Sequence, residues 1–282
     1  MIKLKNILIL LVVLAPFVLS SCAKLITEKV VAPAVGNIQQ QTDIQLVCDG
    51  APSYLLMVDS LLASTPDEEV LLATATQAYI GYVAALRNCN TDASRIPVNA
   101  EKARLYGSRL LEEKINYISE PDNIDTALAH TSKGDVTDLF WGSFGIFTWI
   151  EQQGGSPAAM AELVVVEKTM ARILELDESF QGGAAHLFFA GYYSIKPAFL
   201  GGGPEKALPH FERALELGHR KFLLTQVTFA KSYARLIFDK ELHNSLLKEV
   251  IDFPIESAPE FGLSNRIAQK QAKALLEEGF FD

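Results

Sequence analysis

The sequence predicts an all-α protein built as an array of antiparallel helix hairpins. Apolar residues recur at helical spacing through most of the chain, and no segment shows sustained strand alternation. Several helix starts carry proline and acidic residues, which suit the free N–H groups and the dipole of a first turn. Such starts occur at Pro66–Glu69, Ser156–Pro157 and Gly203–Glu205, and Gly218 suits a helix end. Helices joined by short turns fit a helical-repeat array, and this is the basis of the fold prediction.

These signals predict the position of each helix along the chain. The β-branched run Val164–Val166 lies inside a longer helical pattern and is assigned to a helix. The predicted helices span residues 52–64, 67–88, 97–119, 122–131, 135–152, 157–176, 183–198, 204–217, 221–237, 240–252 and 261–279.

The start of the chain resembles a bacterial lipoprotein signal. Lys3 and Lys5 are basic, and Ile7–Val18 is an apolar run shorter than the ~20 residues of a spanning helix. Leu19–Cys22 follows with the small residues that such signals carry before the cysteine. The resemblance implies cleavage before Cys22 and its acylation, by palmitate among others, which anchors the protein to the membrane. An ordinary secretory signal with a chance cysteine is the alternative. Ala23 favours the outer membrane by analogy with enteric sorting.

The predicted organisation is a signal peptide (1–21), a tether (22–41) and a single helical-repeat domain (42–282). Residues 23–41 lack a helical stripe, and no later apolar run is expected to span a membrane. Signal cleavage removes two lysines, so the formal net charge of −9 becomes −11. An acidic surface argues against a general role on nucleic acid or anionic lipid.

Two cysteines remain after cleavage, Cys48 and Cys89. An oxidising periplasm favours a disulfide between them. In a hairpin that turns at Thr65-Pro66, Cys89 lies ~34 Å from the turn at 1.5 Å per residue. Cys48 reaches the same level if ~20 Å of helix back to Pro52 is followed by ~13 Å of extended chain. Two free buried thiols are the alternative, and the absence of nearby histidines argues against a metal site.

The segment from Phe188 to Leu217 resembles a tetratricopeptide helix pair with an unusual connection. Its second helix carries the small-large-small stripe of such repeats, and its first helix carries a matching stripe. A Gly-rich break from Lys196 to Pro204 replaces the usual tight turn. The apparent repeat length is about forty residues, which exceeds the ~34 residues of a tetratricopeptide repeat. The stripes are Phe189, Ala190 and Tyr193 in the first helix, and Ala207, Phe211 and Ala214 in the second.

Together these features resemble the T component of tripartite ATP-independent periplasmic (TRAP) transporters, over residues 44–278. The resemblance rests mainly on Tyr192–Ala207 and Lys221–Ala234, and more loosely on Pro52–Met57 and Phe140–Gly145. It implies a protein that is not an enzyme, that associates with the periplasmic solute-binding protein of the transporter, and that forms a homo-oligomer. It also implies clefts or pores that hold or pass a small apolar or organic-acid ligand.

Two groups of residues are candidates for ligand contact. The aromatic cluster around Trp141 and Phe144 predicts either core packing or the wall of a channel. Tyr193 follows the core stripe, so the adjacent Tyr192 is the better pore candidate. Lys196 precedes a proline and lies at a helix end, where its ammonium suits a substrate carboxylate or the last helix carbonyls.

The loop Gly201, Gly202, Gly203 and Pro204 does not match a phosphate-binding loop, because Glu205 follows it and no strand precedes it. Loop flexibility before a proline-started helix is the preferred interpretation. Members of the family usually carry an acidic residue where Gly203 stands, so a role for that acid is not expected here.

No catalytic, metal or cofactor motif is present in the sequence. The histidines form no metal-binding spacing, although His186 and His210 are expected to approach each other across a helix pair. No nucleophile elbow occurs. Two alternatives to a transport role are a helical-repeat scaffold lipoprotein in envelope assembly and a cell-wall hydrolase that uses Glu151 or Glu167.

Overall fold

The computed structural model describes Lys29 and residues 31–281, and the regular secondary structure of this part of the chain is all helix, with no strand. The predicted all-α class is therefore confirmed. The signal peptide, Cys22 and the first part of the tether (residues 22–28 and 30) lie outside the described residues. The helices are α1 (Ala32–Gln39), α2 (Ile44–Ser64), α3 (Glu69–Leu86), α4 (Arg95–Ile115), α5 (Ile124–Ala129), α6 (Val136–Ile150), α7 (Pro157–Asp177), α8 (Ala184–Ile195), α9 (Pro204–Leu217), α10 (Leu224–Thr228), α11 (Lys240–Asp252) and α12 (Gly262–Glu277).

The structure corrects the sequence prediction at the start of the body. Residues 32–39 form a helix where a tether was predicted, and the neighbouring Val31 and Val35 are buried. α2 begins at Ile44, capped by the Asp43 side chain, so Pro52 lies inside the helix and not at its start. Residues 48–51 are therefore helical, in contrast to the predicted extended segment.

Neighbouring helices pack in antiparallel pairs. The start of α2 lies beside the end of α3, and α4 crosses α6 with Gly107 against Gly142 and Ala103 against Gly145. α8 and α9 run in opposite directions, because Gly183 lies against Leu217. α5 is short and packs between α4 and α7. From α2 to α11, and apart from α5, each helix thus packs against the next one along the chain.

Three adjoining clusters of buried side chains form the core. The first joins α1–α4 with Leu263 and Ile267 of α12, the second joins α4–α8, and the third joins α8–α12. The last helix therefore returns to the first. Gly262 packs against the backbone of Gln40, and the Lys270 ammonium donates to the Asn88 carbonyl at 3.1 Å.

A disulfide and a partly buried carboxylate hold the first three long helices together. Cys48 and Cys89 form a disulfide with their Cα atoms 5.8 Å apart. Asp59 of α2 accepts hydrogen bonds from the hydroxyls of Tyr79 in α3 and Tyr106 in α4, at 2.9 and 2.6 Å. Because one carboxylate accepts a hydrogen bond from each of the two neighbouring helices, it fixes the relative position of all three helices.

α2 and α3 are long and apolar enough to cross a membrane by length and composition, with mean hydropathies of 1.3 and 1.2. Buried core helices have the same composition. Most of α3 is buried inside the protein, and α2 is joined to it by the disulfide and by Asp59. The apolar composition of α3 is therefore explained by its position in the protein core.

Candidate functional site

A continuous line of aromatic rings links two of the predicted candidates. Phe140, Phe144 and Phe147 of α6 stack in succession, with ring centroids 5.5 and 6.0 Å apart. Phe147 meets Phe188 of α8 edge to face at 5.2 Å, and Phe188 stacks on Tyr192 at 5.8 Å. Such pairs stabilise a core beyond their buried area. The structure therefore brings Phe144 and Tyr192 into one aromatic line between α6 and α8.

Trp141 lies at the junction of the first and second core clusters and is half-buried. Its ring contacts Phe140 edge to face at 5.0 Å. Trp149, at the other end of α6, is covered by the Arg104 guanidinium at 5.0 Å. Packing between clusters accounts for the position of Trp141, and a role in ligand contact stays a prediction.

Tyr192 and Lys196 are joined by a carboxylate that the sequence did not connect with them. The Tyr192 hydroxyl donates to Glu167 of α7 at 2.9 Å, and the Lys196 ammonium lies 3.8 Å from the other oxygen of that carboxylate. The ammonium also lies 4.7 Å from the centroid of the Tyr192 ring. The Tyr192 hydroxyl and the Glu167 charge raise the pKa of Lys196, so the ammonium stays charged. The charge of Lys196 is therefore already balanced within the protein.

The connection between α8 and α9 has a defined backbone path. α8 ends at Ile195, three residues before the predicted end, because Pro197 holds Lys196 in an extended conformation. A side chain at Gly202 would collide with the Lys196 carbonyl. Gly203 has φ +108° and ψ 166°, a region essentially restricted to glycine, and its N–H donates to the Tyr193 carbonyl at 2.8 Å. Backbone geometry, not flexibility, therefore explains these two glycines.

The same connection exposes three large apolar side chains, which we call the apolar tip. Ile195, Phe199 and Leu200 are 76%, 86% and 59% exposed. Isolated exposed apolar residues are ordinary, whereas a contiguous group marks an interaction surface. The tip lies where α8 ends at Ile195 and the chain continues through a short 3-10 turn, Ala198–Leu200, before α9 begins.

His186 of α8 and His210 of α9 meet as expected, with their Nδ1 atoms 2.8 Å apart. Glu178 lies 3.1 Å from the other nitrogen of His186 and also accepts from Arg213. Arg213, and then His186, lower the pKa of Glu178 to about 2, so this carboxylate is an acceptor only. His186 therefore donates from Nε2 to Glu178, and one of the two facing Nδ1 atoms donates to the other.

This arrangement predicts a loss of stability in mild acid. Burial, and then the neighbouring His186, lower the pKa of His210 to about 4. The unfolded chain takes up this proton near pH 6.5. Between pH 6.5 and 4 the unfolded state binds more protons, so the free energy of unfolding falls as the pH is lowered through that range.

Urea unfolding at pH 7 and pH 5 measures this dependence. His210→Gln is expected to reduce the difference in midpoint between the two values, whereas His130→Gln, at an exposed position, leaves it unchanged. An equal pH dependence in the wild type and in His210→Gln would contradict the assignment.

The residues that a hydrolase would use are occupied by structural contacts. Glu151 pairs with Arg87 at 3.4 Å near the surface, and Glu167 holds Tyr192 and Lys196. Among the residues that the structure describes, no group of three or more histidine, cysteine or acidic side chains is arranged to hold a metal ion. Sequence reasoning missed the roles of Glu167, Glu178 and Arg213, because their partners lie on other helices and follow no spacing rule.

The fold and these surfaces define an all-helical protein with an aromatic core line and an exposed apolar tip. The sequence profile of the TRAP transporter T-component family matches residues 40–280. The match covers most of the chain, and the chain therefore belongs to this family of transport components, which is not a known family of enzymes. Membership indicates a periplasmic or membrane-associated location. No curated protein matches the chain.

Proposed function

We propose that this protein is a lipid-anchored periplasmic adaptor, not an enzyme, of a TRAP-type solute uptake system. Family membership supports the transport role, and the lipoprotein-like start of the sequence supports an anchor at Cys22 in the outer membrane. The adaptor binds the periplasmic solute-binding protein of the system and assembles with copies of itself. It holds or passes a small organic ligand near the aromatic line and Lys196.

The α8–α9 pair supports a degenerate tetratricopeptide-like arrangement. Ala190, Ala207, Phe211 and Ala214 are all buried between neighbouring helices. Small residues allow the helices to approach, and Phe211 fills the space between them. Such arrays present extended surfaces for protein partners.

The apolar tip is the observation that carries the proposal. Among the large apolar residues that the structure describes, Phe199 is the most exposed, and it lies between Ile195 and Leu200 along a connection with a defined backbone. Aromatic side chains that become buried at an interface contribute much of its affinity. We infer that the tip inserts into the solute-binding protein.

Co-elution of the full-length protein in detergent with the solute-binding protein encoded beside it tests this proposal. Phe199→Ser is expected to weaken the complex by about tenfold or more, which corresponds to about 1.4 kcal/mol. Leu56→Ser is the matched control, because Leu56 is also strongly exposed but lies on α2. Absence of a wild-type complex, or equal binding by both variants, would contradict the proposal.

A further inference from the structure

The helix α2 is apolar on a side that the rest of the protein does not cover. Its mean hydropathy of 1.3 is similar to that of α3, yet 33% of its most apolar stretch is buried, against 67% in α3. Core packing therefore explains the composition of α3 but not that of α2. The exposed side of its second half consists of six residues at helical spacing, which we call the α2 outer face. They are Ser53, Leu56, Met57, Ser60, Ala63 and Ser64.

The α2 outer face carries no charge. Within residues 50–64 the only charged residue is Asp59, which turns inward and accepts hydrogen bonds from a tyrosine of α3 and a tyrosine of α4. Leu56 and Met57 are adjacent on the outer face and are 69% and 42% exposed. A helix face that contacts water normally carries charged side chains, whereas grouped exposed apolar residues mark an interaction surface. The composition of the α2 outer face therefore indicates contact with an apolar partner.

Two serine hydroxyls on this face already have partners inside the helix. The Ser60 hydroxyl donates to the Leu56 carbonyl at 2.8 Å, and the Ser64 hydroxyl donates to the Ser60 carbonyl at 3.4 Å. Such bonds to the preceding turn satisfy a hydroxyl without water. A hydroxyl that is hydrogen-bonded in this way costs less free energy to remove from water than an unpaired one. The polar residues at these two positions are therefore compatible with an apolar surface.

The first described residues hold the α2 outer face close to the proposed lipid anchor. The Tyr54 hydroxyl, in the middle of α2, donates to the Val31 carbonyl at 2.9 Å, and Val31 is fully buried. Val31 follows Cys22 by nine residues (31 minus 22). A chain of this length spans at most ~32 Å. An acylated Cys22 therefore keeps the middle of α2 within about this distance of the bilayer surface.

We infer that the α2 outer face lies on the bilayer surface, with Leu56 and Met57 inserted among the lipids. The inference rests on the acyl anchor of the proposed function and adds an orientation to it, because contact along α2 fixes which side of the protein faces the membrane. The exposed acidic residues Asp49 and Asp67 flank the face, and an anionic surface would repel them, so the lipid that it fits is zwitterionic. The apolar tip belongs to the α8–α9 connection, so its contact with a protein partner is a separate event.

Lipid-borne quenchers test this contact in the full-length acylated protein, reconstituted in phosphatidylcholine vesicles. The fluorophore NBD is attached in turn to the variants Met57→Cys and Val164→Cys. Val164 is the matched position, because it is 51% exposed on α7. Cys48 and Cys89 are bonded to each other and do not react with the label. Lipids with a nitroxide close to the headgroup are expected to quench the label at position 57, whose emission also shifts to the blue, and to leave the label at position 164 unquenched.

Flotation of the vesicles distinguishes failure of the anchor from failure of the contact. A protein that does not float with the vesicles has no anchor, which would overturn both the anchor and this inference. A protein that floats but shows equal quenching at the two positions, or none at position 57, would overturn the inference alone. Fluorescence at position 57 that falls with rising protein density, in vesicles without nitroxide lipids, would assign the face to a second copy of the chain and would also overturn the inference.

A double variant, Ser53→Asp with Ser60→Asp, places two charges beside the label at position 57. Because a charge is costly to move out of water, quenching at position 57 is expected to fall to the level at position 164. The matched control is Ala158→Asp with Ala161→Asp, which adds the same two charges at exposed positions of α7 and is expected to keep the quenching. An equal fall in both double variants would show a general effect of added charge and would contradict the inference. Circular dichroism melting confirms that both variants are folded.

Discussion

Replacement of both Cys48 and Cys89 by serine is expected to lower the free energy of unfolding by about 4 kcal/mol. The disulfide closes a loop with a sequence separation of 41 residues, and this closure removes conformations from the unfolded chain. The bond also joins the start of α2 to the end of α3, so its loss releases two helices that supply much of the first core cluster.

Equilibrium unfolding in urea measures the effect. The wild type in reducing agent is expected to match the double variant, and the double variant itself is expected to be insensitive to reducing agent. A steeper dependence of the unfolding free energy on urea in the variant would reflect a more expanded unfolded state. Equal stability of the oxidised wild type and the variant would rule out the stabilising role of this bond.

Gly145→Ala is expected to destabilise the protein by about 2–3 kcal/mol, the upper part of the range for overpacked cores. α4 and α6 approach with their backbones in contact at this point. A methyl group on Gly145 would lie 2.6 Å from the Ala103 carbonyl oxygen and 2.8 Å from the Thr76 methyl group. Because the closest neighbour is backbone, α6 must move away from α4, and the contacts around both helices are weakened.

Gly81→Ala in α3 is the matched control. Gly81 is also a helical glycine, but no heavy atom lies within 4 Å of an added methyl group. Alanine is favoured over glycine in a helix by ~0.5–1 kcal/mol, so this variant is expected to be slightly more stable than the wild type. Both substitutions add one methyl group, but its surroundings differ. The free energy of unfolding is therefore expected to fall in Gly145→Ala and to rise slightly in Gly81→Ala. A shared sign in urea unfolding would contradict the proposed close approach of α4 and α6.

Much of the helical framework follows from local sequence signals. α9 and α11 begin and end at the predicted residues, and α7 differs only by one residue at its end. α9 and α7 start with a proline that fits the first turn, and α11 starts with the Asp239 cap. Each of these signals involves only a few neighbouring residues, so the helix ends that they set can be predicted from the sequence alone.

The misplaced elements depend on information that is not local. Pro52 resembles a helix start, yet α2 extends upstream because Asp43 provides an earlier cap and Val47 and Ala51 are buried by other helices. The π-helical segment Phe229–Ala234 gives no sequence signal, since its apolar pattern also fits an ordinary helix.

The candidate sites divide in the same way. The approach of His186 and His210 was predictable because both lie on facing stripes of one helix pair. The charge partner of Lys196 was not, because Glu167 lies on a different helix with no spacing relation to it.

The return of α12 to the first helices changes how this helical array can evolve and fold. In an open solenoid each repeat contacts only its neighbours, so repeats can be added or lost with additive effects on stability. Here Leu263 and Ile267 complete the cluster that begins at Val31. An inserted or deleted hairpin would separate these ends, which fixes the number of helices. The first cluster also stays incomplete until the last helix has emerged, so the chain can reach its full stability only after its entire length is available.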